Sequence, residues 1–158
     1  MKFLDLEKKY KMKLSGSIGL QLKYNLNFNN YKIITAKEIF EDWILCCTDK
    51  EEGKIYYLNK GVILKDYELD NELLQDIGEI FEVRLEQMKE RLINKLSNEK
   101  ATDKQIKFAN KLYKKIYGVF APDEIKNYNK GKINNLINEL KEKYKNNEES
   151  KVINLFDN

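Results

Sequence analysis

Residues 101–117 read ATDKQIKFANKLYKKIY, and this stretch has the features of a short amphipathic helix. Thr102 is a suitable N-cap because its hydroxyl can accept a backbone N–H of the first turn, and Gln105 completes a capping box. Gly118 can end the helix because glycine adopts a left-handed conformation at little cost. The stretch therefore predicts a helix over 102–117, with a domain before it and a small helical appendage after it.

At about 100° per residue, this helix has one apolar side and one basic side. The basic side carries Lys104, Lys107, Lys111, Lys114 and Lys115. Phe108 falls at the edge of that side by helical spacing. Lysines beside an aromatic ring are typical of surfaces that bind nucleic acid, where the ammonium groups contact phosphates and the ring stacks on a base; Tyr113 is a second ring available for stacking. The alternative is a solvated lysine face with Phe108 in the core, because such faces are common.

Charge is distributed unevenly along the chain. The 158 residues carry 29 Lys and Arg against 26 Asp and Glu, which gives a formal net charge of +3. Residues 101–145 contain 11 lysines and 5 acidic residues, so this segment carries +6 and the remainder carries −3. A local excess of positive charge does not determine the fold, but it favours an anionic partner for the C-terminal part.

The residue types exclude several classes of function. Histidine is absent, which excludes histidine-based acid–base catalysis and the Ser-His-Asp and Cys-His arrangements. Cys46 and Cys47 are adjacent, so neither a zinc site nor a mutual disulfide is expected, and reduced cysteines favour the cytoplasm. Seven glycines give no phosphate-binding loop, and no apolar run has membrane-spanning length. We therefore expect a cytoplasmic protein that is not an enzyme, uses no cofactor or metal and does not cross a membrane.

The segment before the basic helix predicts an α+β domain over residues 1–98. From Leu20 to Phe28, apolar and polar residues alternate with the period of a half-buried strand. A short helix at the N-terminus precedes this run and is broken by SGSIG at 15–19. Short turns separate the run from four more apolar runs, and together they predict an antiparallel β-meander. The four further strands are expected at 31–36, 43–48, 54–58 and 62–65.

A long helix over 71–96 is expected to cover the meander. Its apolar residues recur at helical spacing, and Asp70 can cap its first turn. Because the helix is longer than the sheet is wide, its second half either packs within the chain or forms the seam of a homodimer. A polar link follows, then the basic helical module over 99–145 and a flexible tail over 146–158.

The basic module resembles a small helical module found at the C-termini of phage and plasmid proteins. Such modules open with A-T-x-K-Q, present here from Ala101 to Gln105, and close with a helix bearing L-I-x-x-L, present here from Leu136 to Leu140. The resemblance covers this module alone. It implies a mobile-element setting, often in DNA transactions.

The tail resembles the bacterial sliding-clamp-binding pentapeptide, which typically reads Q-L-x-L-F. The segment VINLF matches it at Leu155 and Phe156, with Ile153 as a conservative replacement and Val152 in place of glutamine. The resemblance implies that an extended peptide anchors these apolar residues in a pocket of the clamp. The alternative is that they dock on the core of this protein.

Together, these features predict a phage or mobile-element protein that binds nucleic acid or a nucleoprotein complex through the basic helical module. The expected contact residues are Lys104, Lys107, Phe108, Lys111, Lys114 and Lys115, with Ile153, Leu155 and Phe156 as a possible partner motif. The alternative is an anti-CRISPR protein, or another inhibitor of host defence, that binds a host nuclease effector complex. Small size and the lack of an active-site motif suit both equally, and the sequence leaves DNA and RNA open.

Overall fold

The computed structural model describes the backbone of residues 1–156 and the side chains of residues 1–149. The chain divides into two compact units, Met1–Glu90 and Arg91–Asn158. The expected α+β class is confirmed, because helices are combined with an antiparallel pair of strands. The division into units falls within a long helix, and the second unit contains the basic helical module.

The helices and strands follow one another in the order α-α-β-β-α-α-α, with two short 3-10 helices at Phe3–Asp5 and Asp123–Asn127. The bounds of the first unit's elements are α1 (Lys8–Asn25), α2 (Ala36–Cys47), β1 (Tyr56–Asn59), β2 (Val62–Glu68) and α3 (Asn71–Asn98), whose end enters the second unit. The second unit also contains α4 (Asp103–Tyr117) and α5 (Lys130–Phe156).

The short turn predicted between the strands at 54–58 and 62–65 and the long helix after them are both confirmed. Asn59 pairs with Val62 across a two-residue turn, in which Lys60 has φ 49° and Gly61 has φ 80°. Positive φ at both central residues matches the right-handed twist of the strands, and glycine supplies it at little cost. Asp70 then caps α3, because its Oδ1 accepts the Leu73 N–H at 2.8 Å.

The strand predicted over 20–28 is wrong, because α1 continues to Asn25. Leu14, Ile18 and Leu22 are fully buried at helical spacing, and this stripe outweighs the period-two alternation. The glycines of SGSIG do not break the helix. Glycine in a helix interior costs about 1 kcal/mol relative to alanine, which the burial of three large side chains exceeds.

The strands predicted over 31–36 and 43–48 are also wrong. The first segment forms turns that lead into Thr35, whose Oγ1 accepts the Glu38 N–H at 3.3 Å and so begins α2. The second segment lies within α2 up to Cys47. In the described part of the chain the sheet therefore has two strands, and α1 and α2 occupy most of the segments in which strands were expected at 20–28 and 43–48.

The core of the first unit forms where α1, α2, the hairpin and the first turns of α3 meet. Trp43 is fully buried, and its Nε1–H donates to Ser17 Oγ at 2.9 Å. Its ring lies 5.6 Å from that of Phe81, which belongs to the α3 stripe. The stripe as far as Met88 is thus used within the core of the first unit, and Val83 and Ile93 are the large exposed apolar residues of α3. A homodimer through 71–96 remains a prediction.

The two cysteines at the end of α2 have different environments. Cys47 is buried, and this burial, with a smaller effect of Cys46, raises the pKa of its thiol to about 12. Cys46 is exposed, whereas the apolar run over 43–48 predicts that both thiols are buried and slow to react. We expect one fast-reacting thiol per native chain in an assay with a disulfide reagent, and two after unfolding, since the thiolate is the reactive form. Cys46→Ser should remove the fast thiol; two fast thiols in the native parent would contradict the burial of Cys47.

The second unit has its own core, formed mainly by α4 and α5. Lys130 Nζ pairs with Glu99 Oε2 at 2.6 Å, which holds the start of α5 against the link that precedes α4. Helix α5 continues to Phe156, beyond the end expected near Lys145. The side chains of the sliding-clamp-like motif, Ile153, Leu155 and Phe156, lie outside the described residues, so this motif remains a prediction. None of the described helices is both long and apolar enough to cross a membrane.

Candidate nucleic-acid interface

Helix α4 has both of the caps that the sequence predicts. Thr102 Oγ1 accepts the Gln105 N–H at 3.2 Å, and Gln105 Oε1 accepts the Thr102 N–H at 2.9 Å. Gly118 has φ 74°, and its N–H donates to the Lys114 carbonyl at 2.8 Å. These hydrogen bonds satisfy backbone groups that a helix end otherwise leaves unpaired, so the helix has well-defined ends.

The apolar side of α4 packs on α5. Ala109 and Leu112 are buried together with the inward-facing residues of α5. Near the start of α4, Gln105 Nε2 donates to Asn134 Oδ1 at 2.9 Å; at its end, Lys143 Nζ donates to Tyr117 OH at 2.8 Å. The two helices therefore run in the same direction, and the opposite side of α4 faces solvent.

That solvent-facing side carries the predicted lysine face. All five members, Lys104, Lys107, Lys111, Lys114 and Lys115, are exposed. Within residues 1–149, none of the five forms a salt bridge. At 1.5 Å per residue the lysine face is about 16 Å long. Its five ammonium groups are therefore not neutralised by the acidic side chains of residues 1–149.

Phe108 lies beside this face and outside the core. Its side chain is 42% exposed, and Lys141 Nζ of α5 is 5.5 Å from its ring centroid. Of the two interpretations that the sequence left open, the core position is wrong and the surface position is correct. Tyr113, also considered as a stacking ring, is partly buried against the core of the second unit.

The structure adds residues that sequence analysis missed. Phe120 is 68% exposed with Lys114 Nζ 4.7 Å from its ring centroid, and Tyr144 is 38% exposed with Lys115 Nζ at 5.8 Å. Both rings therefore adjoin the lysine face. The alternation of lysine and tyrosine in KEKYK at 141–145 was an available signal for Tyr144. Phe120, in the loop after α4, had no comparable signal.

The charge of the two units differs in sign. The first unit has 14 basic and 17 acidic residues, and the second has 15 basic and 9 acidic residues. The net charges are thus −3 and +6. The unit that contains the lysine face is the basic one, which favours encounter with an anionic partner.

The acidic residues between α2 and β1 have a structural explanation. Asp49 Oδ1 accepts the N–H groups of Glu51 and Glu52 at 2.9 and 2.8 Å, and its Oδ2 lies 2.7 Å from Lys65 Nζ. The hydrogen bond from Lys65, followed by that from the Glu52 backbone, lowers the pKa of Asp49. In the part of the chain that the structure describes, no group of three or more Cys, Asp or Glu residues could hold a metal ion.

Comparison of the chain with models of protein families, with curated proteins and with solved structures gives no match. What the surface can do therefore follows from its own residues. Unpaired ammonium groups bind phosphate, and exposed aromatic rings beside them can stack on bases.

The exposure of Phe108 has a measurable consequence for stability. Phe108→Ala should change the free energy of unfolding by no more than about 1 kcal/mol, because a half-exposed ring leaves no cavity in the core. The matched control is Leu112→Ala on the buried side of the same helix, which should cost about 2–5 kcal/mol. Both values can be measured by urea denaturation followed by circular dichroism. A Phe108→Ala loss as large as that of Leu112→Ala would contradict the surface position.

Proposed function

We propose that this protein binds nucleic acid, free or within a nucleoprotein complex, through the lysine face of α4. The observation that carries this proposal is a row of five exposed lysines, without salt bridges among residues 1–149, on a helix whose other side is buried. Each ammonium group can contact a phosphate and release condensed counterions. Phe108 adds an aromatic surface at the edge of this row.

The setting we propose is a phage or another mobile element in the cytoplasm of a bacterial cell, with no catalytic role. Support comes from the resemblance of residues 101–140 to the A-T-x-K-Q module of phage and plasmid proteins. The sequence also lacks histidine, which removes the commonest general acid–base residue. In this chain, the A-T-x-K-Q opening supplies the N-cap from which the lysine face begins.

Direct binding can be tested by fluorescence anisotropy with labelled oligonucleotides over a series of salt concentrations. Four or five lysines that engage a single strand predict a slope of about −3 to −3.5 in a plot of log affinity against log salt. Binding that is absent even at low salt would contradict the proposal. Binding without salt dependence would contradict the role given to the lysines.

The opposite net charges of the two units support a second candidate, an anti-CRISPR protein or another inhibitor of a host nuclease complex. Such an inhibitor could use either charge sign: the −3 unit to mimic nucleic acid, or the +6 unit to hold guide RNA or DNA beside the effector. A pull-down from bacterial lysate with and without nuclease treatment separates the candidates. Recovery of nucleic acid that disappears after treatment supports direct binding. One host nuclease retained after treatment supports inhibition.

We also propose the sliding clamp as a partner, bound through the VINLF motif. If it binds there, a purified clamp should be retained by the full chain and lost when Ile153, Leu155 and Phe156 are replaced by alanine. Retention by both forms would place the contact elsewhere, and retention by neither would exclude the clamp.

A further inference from the structure

Four exposed aromatic side chains of the second unit each have a lysine ammonium group beside the ring. Their exposed fractions are 42% for Phe108, 45% for Tyr117, 68% for Phe120 and 38% for Tyr144. The distances from the lysine Nζ atoms to the ring centroids lie between 4.7 and 5.8 Å. Rings of this size usually contribute to cores, so a group of exposed rings among cations points to a ligand that offers both negative charge and flat apolar surfaces.

Phe120 is held beside the lysine face by the loop that follows α4. Gly118 turns the chain with its positive φ, and the Ala121 N–H then donates to Asn110 Oδ1 of α4 at 3.2 Å. Ala121 is buried, so the loop folds back along the helix. The Phe120 ring consequently lies next to Lys114, with most of its surface open to solvent.

Phe108 and Tyr144 lie on the opposite edge of the lysine face, toward α5. By helical spacing, Phe108 and Lys115 fall on the edge away from Lys114. Helix α5 adds Lys141 beside Phe108 and Tyr144 beside Lys115. The lysine face is thus bordered by aromatic rings on both edges, and the two borders come from different parts of the chain.

From this arrangement we infer that the second unit binds single-stranded nucleic acid, with phosphates on the α4 lysines and unpaired bases stacked on Phe120 and Phe108. This inference rests on the proposed function and adds the class of substrate. The bases of a duplex are already stacked on one another and cannot cover rings outside the helix. Unpaired bases can cover such rings, whatever the sequence, because every base has a π-face.

The test compares three probes by anisotropy: an oligothymidylate of about 15 nucleotides, an abasic strand of the same length, and a hairpin duplex. The oligothymidylate should bind at least about 10-fold more tightly than the abasic strand, which has the phosphates without the bases. Phe120→Ala should weaken oligothymidylate binding roughly 5- to 150-fold and leave abasic binding unchanged. Phe120→Tyr should retain binding because it retains a ring. Leu45→Ala, at an exposed apolar residue of the first unit, is the control and should have no effect.

The outcomes separate this inference from the proposed function. If the parent binds the duplex as tightly as the single strand, or binds the abasic strand equally well, the single-strand inference is wrong while nucleic-acid binding stands. Unchanged oligothymidylate binding by Phe120→Ala also overturns it. If no probe binds at low salt, both proposals fail.

Exposed Val119 and Phe120 near lysines could instead insert into an anionic membrane surface. Binding to vesicles of phosphatidylserine and phosphatidylcholine tests this alternative. A membrane contact would replace the inference if the parent binds vesicles but not oligonucleotides. In that case Phe120→Leu should retain vesicle binding and Phe120→Ala should lose it. Leucine keeps apolar volume but has no ring, so Phe120→Leu should weaken single-strand binding nearly as much as Phe120→Ala.

Discussion

Replacing Lys107, Lys111 and Lys114 by glutamine is expected to lower the affinity for single-stranded nucleic acid by roughly two to three orders of magnitude at about 0.05 M salt. Each phosphate contact contributes about −0.7 to the slope of log affinity against log salt, so the slope should fall from about −3.5 to about −1.4. The fold should be unaffected, because exposed lysines contribute little to stability. Anisotropy titrations over a salt series measure the affinity and the slope, and a thermal melt checks the fold.

A matched variant controls for the loss of positive charge. Lys8, Lys23 and Lys50 are exposed residues of the first unit, and their replacement by glutamine removes the same three charges. This control should bind nearly as the parent does. If it loses as much affinity as the α4 variant, binding reflects total charge rather than the lysine face. If the α4 variant binds as tightly as the parent, direct binding through this face is wrong, and inhibition of a host nuclease complex becomes the better proposal.

Trp43→Ala should lower the free energy of unfolding of the first unit by about 3–5 kcal/mol. The ring is fully buried between α1 and α3, and the substitution also leaves Ser17 Oγ without the indole N–H that it accepts at 2.9 Å. Domains of this size have stabilities of about 5–15 kcal/mol, so the loss is a large fraction of the total. Trp43 is the only tryptophan, so urea unfolding should be followed by circular dichroism rather than by fluorescence.

Leu45→Ala is the comparison that tests the helical assignment of this segment. In α2, Leu45 is 73% exposed while Trp43 and Cys47 are buried, and its loss should cost no more than about 0.5 kcal/mol. A strand over 43–48 would instead place all three side chains on one face. A Leu45→Ala loss of several kcal/mol would therefore favour the strand and contradict the structure.

Sequence alone determined the elements whose signals are local. The caps of α4 at Thr102 and Gly118 and the Asp70 cap of α3 depend on residues within one turn of the helix end. The hairpin turn at Lys60-Gly61 depends on positive φ, which glycine adopts readily. The lysine face was predictable for the same reason, since one helix and its 3.6-residue period determine which side chains share a side.

Tertiary structure decided the identity of α1 and α2. The run from Leu20 to Phe28 alternates with period two, while Leu22 also continues the helical series from Leu14 and Ile18. Short apolar runs are compatible with a helix or with a strand, so the surface against which they pack determines which of the two forms. Here that surface is a core in which residues distant in sequence meet, as in the hydrogen bond between Trp43 and Ser17. The T-x-x-E capping box at Thr35 was the local signal that could have identified α2.

The candidate interface likewise has one part that the sequence predicts and another that only the tertiary structure decides. Its lysines come from one helix and follow from the sequence of α4. The rings beside them do not, because Tyr144 reaches Lys115 through the packing of α5 on α4, and Phe120 reaches Lys114 through the loop that Asn110 holds. These contacts join separate segments of the chain, so no local periodicity contains them. The sequence determined where the positive charge lies, and the packing of α4 with α5 and the following loop decided which aromatic surfaces accompany it.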